Sequence, residues 1–232
     1  AKMRAARVLC DPELTTGLPP HLTAWTGMDA LSHCLEAFLV PAPDAGADAR
    51  ALEGLRLIRR GFLRAVDDGA DPGARRDMML ASTLGALAFS KGLGAVHAIG
   101  HALSARYGTP HGLVNAVLLP YVVELNRPAA HERLDALARA LGLEGPAGTD
   151  PVVDWLVDWR TRVGIPHTLG DLDIGWEEAT LESLCTAAVA DPNAPSNPVP
   201  LDAGRVARTL ERAREGVLGA SAAHARTPGR GV

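Results

Sequence analysis

The 232-residue chain has few aromatics, 4% of its residues, and only three cysteines. Cys10, Cys34 and Cys185 are too scattered for a disulfide framework, and none sits at the spacing of a structural thiolate zinc site. Such sparse cysteine use points to a reducing, cytoplasmic setting. Basic charge is not in excess. The formal net charge of −4 gives no electrostatic case for nucleic acid or an anionic membrane as partner. Long apolar runs are missing as well: the longest, LVNAVLLPYVVEL, is broken by Asn115 and Pro120 and is too short to span a bilayer. The start, AKMRAARVLC, has no apolar stretch of the kind that directs secretion. A Gly-rich loop after a strand is also lacking. DDGADPG and KGLG fall between helical stretches, a poor setting for dinucleotide phosphates.

What is present is Ala, Leu and Val in quantity, with 47% hydrophobic residues, and Ala and Leu favour helix over strand. The length allows one large domain or two small ones, and either can bury a core. Residues 6–11 read as one short strand ending at Asp11-Pro12. Pro19-Pro20 suits the first turn of a helix, where a missing N–H costs nothing. From Thr26 to about Leu39, Met28, Leu31, Leu35 and Phe38 recur at helical spacing, and 47–67 repeats the pattern with Leu52, Leu55, Ile58 and Phe62. A third helix, 74–90, is apolar nearly all round, which predicts a place in the centre of a bundle. A fourth carries His97 and His101 and stops at a TPHG turn. Further helices are expected at 113–125, 129–141, 151–163, 175–189 and 201–215. The expectation is an all-α helical bundle after one strand, occupying residues 1–216. The small, polar stretch 217–232 reads as a disordered tail.

Asp29 and His33 lie one helical turn apart and so share a face. His97 and His101 make a second such pair, and His111 follows in the turn. Each pair alone is a weak signal, because caps, ion pairs and satisfied core histidines have the same spacing. Their concentration in two strongly apolar segments is more telling. An unpaired imidazole or carboxylate is costly to bury there, and a metal ion offsets that cost. Imidazoles with one carboxylate suit Fe²⁺, Zn²⁺ or Mn²⁺ better than Ca²⁺ or Mg²⁺. A metal-bound alcohol loses its proton more easily, as metal-bound water does.

The stretch VLCDPELTTGLPPHLTAWTGMDALSHCLEAF, followed by GLGAVHAIGHALSARYGTPHGLVNAVLLP, closely resembles the iron-containing (group III) alcohol dehydrogenases. Asp11, Pro19, Ala24, Thr26, Asp29, Leu31 and Glu36 match the family's first signature in order. The second segment matches its H-x-x-x-H…PHG pattern with unbroken spacing. The likeness runs from residue 6 to about 215 and includes Asn197-Pro198. Two departures are local: Ala102 stands where many relatives have Pro, and Val199 where many have Arg.

The resemblance implies the helical, dehydroquinate synthase-like C-terminal domain of such an enzyme, with Asp29, His33, His97 and His111 as metal ligands. His101 would lie near the nicotinamide and substrate and assist proton transfer or position the reactants, with Phe89 assigned beside it to cofactor binding. The implied cofactors are Fe²⁺, with Zn²⁺ also suited, and NAD or NADP. The implied reaction interconverts a small alcohol and an aldehyde or ketone by hydride transfer from a metal-bound alkoxide, in a homo-oligomer. The family's N-terminal nucleotide-binding domain has no counterpart in the sequence, so little or no dehydrogenase activity is expected of this chain alone. Apolar surface is expected to be exposed on the metal face. Within the resemblance, a maleylacetate reductase is the competing enzyme, and the intact four-ligand set argues against it. Outside it stand a metal-dependent hydrolase using Glu36 or His101 as base, and an inactive truncated fragment.

Among the remaining residues, Glu36 can serve as a hydrogen-bond acceptor for His33 or as a simple ion-pair partner. Phe89, Leu93 and Val96 can line a pocket or belong to the core. Lys91 suits a helix end, and Cys34 reads as a small buried residue. His21, His131, His167 and His224 read as surface histidines, and Trp25, Trp155, Trp159 and Trp176 as packing anchors.

Overall fold

The computed structural model describes residues 7–145, 148–172 and 174–219. Eight α-helices make up the described chain: α1 (Pro20–Leu39), α2 (Ala45–Asp67), α3 (Pro72–Ala88), α4 (Ala95–Tyr107), α5 (His111–Leu141), α6 (Pro151–Arg162), α7 (Glu178–Ala190) and α8 (Ala203–Glu215). Short 3-10 turns lie at Pro12–Thr15, Phe89–Lys91, Leu169–Asp171 and Ala194–Ser196. The all-α expectation is met, except for its strand. Residues 7–11 form no ladder, since a strand needs a neighbour for its amides and no other strand exists among the described residues. From residue 220 onward the expected tail, with His224, lies outside the described residues.

Local chemistry sets the helix starts. Asp44, Asp71, Asp150 and Asp202 each cap a helix by accepting a backbone N–H from its first turn. Pro20, Pro72 and Pro151 occupy first-turn positions, where no intrahelical donor is lost. The helices anticipated at 113–125 and 129–141 are joined in α5. Pro128 lies inside it and Ala130 departs from helical geometry (φ −124°, ψ 15°), so the break is a kink rather than an end.

The core centres on α1, which packs against α2, α3 and α5. Met28, Leu31 and Leu35 are fully buried and meet Leu55, Ile58 and Phe62 of α2 with Val114, Val117 and Leu118 of α5 in one cluster. Each large side chain so withdrawn from water contributes about 1.5–3 kcal/mol before conformational costs. The third helix is not the central one. Its buried face is made of small or paired residues, Ala74, Arg75, Asp77, Ala81, Gly85 and Ala88, while Leu80 and Leu87 are exposed. An all-round apolar helix can leave one side uncovered, and composition alone does not say which. Trp155 and Trp159 are buried and in ring contact, and Trp25 and Trp176 pack at the margin of the core.

Candidate metal centre

Three helices bring the acid and the imidazoles together. Asp29 and His33 project from successive turns of α1, with His33 Nδ1 3.7 Å from Asp29 Oδ2. His97 lies in the first turn of α4, and His111 opens α5 directly after the turn that ends α4. From Asp29 Oδ1, His97 Nε2 is 3.8 Å away and His111 Nε2 3.6 Å. One donor atom from each of these three residues lies within 4.8 Å of the others. Two donors about 2.1 Å from one ion sit about 3.4 Å apart, so the distances from Asp29 to the two imidazoles are close to those of donors sharing a cation. His33 stands beside this trio, its ring 4.5 Å from that of His97, but is not within it.

The position of His97 is fixed from behind. Glu36 is buried, at 4% exposure, and its carboxylate accepts from the amide of Val96 at 2.7 Å and from His97 Nδ1 at 2.6 Å. It therefore caps α4 and holds the imidazole at once. The anticipated partner for Glu36 was His33. A buried carboxylate needs several donors, and the free amides at the start of α4 supply them where a single neighbouring ring does not. Asn197 adds to the same cap, accepting from the amide of Ala95 at 3.0 Å while paired with buried Asn126. With Nδ1 committed to Glu36, His97 Nε2 is buried and has no hydrogen-bond partner. An orphaned nitrogen facing a carboxylate and a second imidazole is what a metal ligand looks like without its ion, so the residues fit a divalent metal.

Charge in the cluster is balanced tightly. Burial pushes the His33 and His111 imidazoles below their ordinary pKa, while Asp29 pulls both the other way. Burial also works against a charged His97, but the hydrogen bond and charge of Glu36, helped by Asp29, outweigh it and leave its pKa raised.

His101 lies one turn beyond His97, 47% exposed, with its ring stacked on His111 at 5.1 Å and 19°. Its Nδ1 is 2.8 Å from Asp191 Oδ2 at the end of α7. Phe89 is 39% exposed, 5.3 Å from the His33 ring, and forms an apolar rim. Leu93 and Val96 are buried, in keeping with a core role.

Two polar residues at the site were not singled out by sequence reasoning. Fully buried Asn115 donates from Nδ2 to Asp29 Oδ1 at 2.8 Å and lies 2.9 Å from His111 Nε2. Its spacing of four from His111 was the available signal, hidden inside an apolar run. Asp191 is remote in sequence and gave no such signal. Lys91 does end a short helical turn, as expected, but it is also 1% exposed and reaches Asp48 at 2.5 Å, because a buried ammonium needs a carboxylate. One other reading is corrected. His167 is partly buried between Arg160 and Tyr121 instead of lying on the surface. A separate cavity of about 240 Å³ lies between α1 and α3, lined by Arg75 and several hydroxyls; no imidazole or carboxylate lines it.

Residues 23–214 match the model of the Fe-containing alcohol dehydrogenase family, C-terminal. The chain belongs to this family. It is 41% identical over 213 residues to the 4-hydroxybutyrate dehydrogenase of Cupriavidus necator, covering 88% of this chain and 54% of that one. It is 39% identical over 194 residues to the 1,3-propanediol dehydrogenase of Citrobacter freundii, covering 81% and 50%. Among solved structures, a 1,3-propanediol oxidoreductase superposes with a TM-score of 0.81 at 37% identity, over 88% of this chain and 54% of that one. The sulfoacetaldehyde reductase of Bifidobacterium kashiwanohense, solved in complex with NAD⁺, gives 0.78 at 30% identity, over 88% and 53%. The chain thus spans about half the length of the curated relatives it matches. Among the described residues, no single helix is long and apolar enough to cross a membrane.

Proposed function

We propose that this chain is the metal-holding part of an NAD(P)-dependent oxidoreductase that interconverts a small alcohol and an aldehyde or ketone. The observation that carries the reading is His97: one nitrogen engaged by a buried carboxylate, the other buried, unpartnered and facing Asp29 and His111. Asp29, His97 and His111 would hold Fe²⁺, with His33 as the fourth ligand and Zn²⁺ the chemically closest substitute. When bound, the ion supplies Lewis acidity that makes an alcohol easier to deprotonate. Glu36 keeps His97 oriented, and Asn115 steadies Asp29 by donating to its Oδ1. His101, exposed beside the cluster, is placed to take and return a proton. Phe89 gives the rim an apolar surface against which a nicotinamide or the substrate's carbon chain can rest. Family membership and the NAD⁺ bound by one relative support a nicotinamide as hydride partner.

A metal-dependent hydrolase is the poorer reading. Of the two bases that reading could use, Glu36 is wholly engaged by α4 and His97, and family membership favours nicotinamide chemistry beside His101. The test is metal content after anaerobic loading with Fe²⁺, and separately with Zn²⁺, followed by NADH titration. One tightly held ion per chain, lost in His97→Ala and Asp29→Asn, is expected. No retained metal in the wild type, or equal retention in both variants, would overturn the proposal.

A further inference from the structure

We propose that Asp191 is a positioning residue that fixes His101 as the tautomer protonated on Nδ1, leaving Nε2 as its lone-pair nitrogen. The inference rests on reading His101 as part of the metal centre, but its test does not require metal. Asp191 ends α7, ninety residues from His101 in sequence, and its side chain is only 10% exposed. The carboxylate is divided between two tasks. Oδ1 accepts from the backbone N–H and the side-chain amide of Asn193, at 2.8 and 2.9 Å, and Oδ2 faces His101 Nδ1 at 2.8 Å. These contacts hold the Asp191 carboxyl below the usual carboxylate range despite burial, so it is ionised and acts only as an acceptor. A neutral imidazole meeting an acceptor at Nδ1 must carry its proton there.

The imidazole itself is half exposed and stacked on His111, so the ring is free on one side and braced on the other. A nearly buried carboxylate behind an accessible imidazole is the arrangement by which hydrolases select one tautomer of a catalytic histidine. Here it would keep an unprotonated nitrogen available beside the metal ligands. Asn193, by occupying Oδ1, leaves Oδ2 as the oxygen that faces the ring.

Asp191→Asn separates this role from a purely structural one. Asn193 presents two donors, so the amide oxygen of the variant must stay toward Asn193 and the turn is preserved. Its NH₂ then faces His101 and donates, which forces Nδ1 to become the acceptor and moves the proton to Nε2. Long-range ¹H–¹⁵N correlation NMR of the metal-free chain at alkaline pH reads the tautomer directly, with His101→Gln identifying the resonances. The expected result is an Nδ1-protonated His101 in the wild type and loss of that pattern, replaced by Nε2–H, in Asp191→Asn. An unchanged tautomer in a folded variant would overturn the proposal. So would an Nε2-protonated wild type, which decides the matter even if the variant fails to fold. Failure to bind metal with the expected tautomer intact would count against the proposed function alone.

Discussion

Gly112→Ala should damage the proposed metal centre without replacing any of its residues. Gly112 follows His111 in the first turn of α5, where that helix crosses the backbone of α1. A Cβ there would stand 2.8 Å from the Trp25 carbonyl carbon, closer still to its oxygen, and 3.3 Å from Asp29 Cβ. The obstructing atoms are backbone within α1, so no side-chain rotation relieves the clash. Restoring ordinary contact at 3.4 Å requires at least 0.6 Å of added separation between α1 and α5 at the very turn that carries Asp29 and His111.

Overpacking of this kind costs about 1–3 kcal/mol of stability. A ligand set holds its ion well only when its geometry is kept within about 0.5 Å, so metal affinity should fall roughly 10–100-fold, the size of effect seen when groups supporting ligands are lost. The assay is a chelator-competition titration with Zn²⁺, run beside thermal melts of the same samples. Gly17→Ala is the control, since nothing lies within 4 Å of a Cβ at that position. A Gly112→Ala protein with wild-type affinity would refute the argument that α1–α5 contact sets the site. Loss of stability with unchanged affinity would mean the helices separate elsewhere than at the ligands.

Acid should destabilise the fold through His167. Burial and the neighbouring Arg160 guanidinium push its pKa from 6.5 down to about 4, so its contribution is complete above pH 6.5 and is lost as pH falls toward 4. The slope is bounded by about 1.4 kcal/mol per pH unit, and partial exposure brings it to about half. Unfolding of His167→Gln across this window should therefore depend less on pH than that of the wild type, and identical slopes would refute the assignment. Thiol labelling should find one reactive cysteine in the native chain. Cys10 is exposed, whereas burial pushes the Cys34 thiol up to about 12 and raises that of Cys185. Rapid native labelling of Cys34 would show that the α1–α2–α3 contact opens readily.

The parts of this molecule that sequence made legible are those written in local spacing. Helical periodicity placed α1 and α2, Asp29 and His33 fell on one face because four residues make about one turn, and Pro19-Pro20 marked the start of α1. What stayed hidden depends on which surfaces meet. Nothing within α3 says that Leu80 and Leu87 lack a cover while its alanines are buried. Glu36 lies three residues after His33, yet its partner is His97, sixty-one positions away, because the open amides of α4 compete for the same carboxylate. Lys91 and Asp48 likewise find each other only once α2 and the end of α3 are packed.

The same division runs through the second histidine motif. His97, His101 and His111 announce chemistry by residue type, but the glycines next to them, Gly100 and Gly112, carry a packing requirement that spacing does not express. Gly100 lies against Asn115, whose amide oxygen would collide with any Cβ there, and Asn115 in turn donates to Asp29 Oδ1. Gly112 admits the Trp25 backbone. Read as helix propensity, both positions cost stability relative to alanine, by roughly 1 kcal/mol each. Their value is in what they let approach. A sequence that kept Asp29, His97 and His111 but replaced these two glycines would retain the proposed metal ligands without bringing them together.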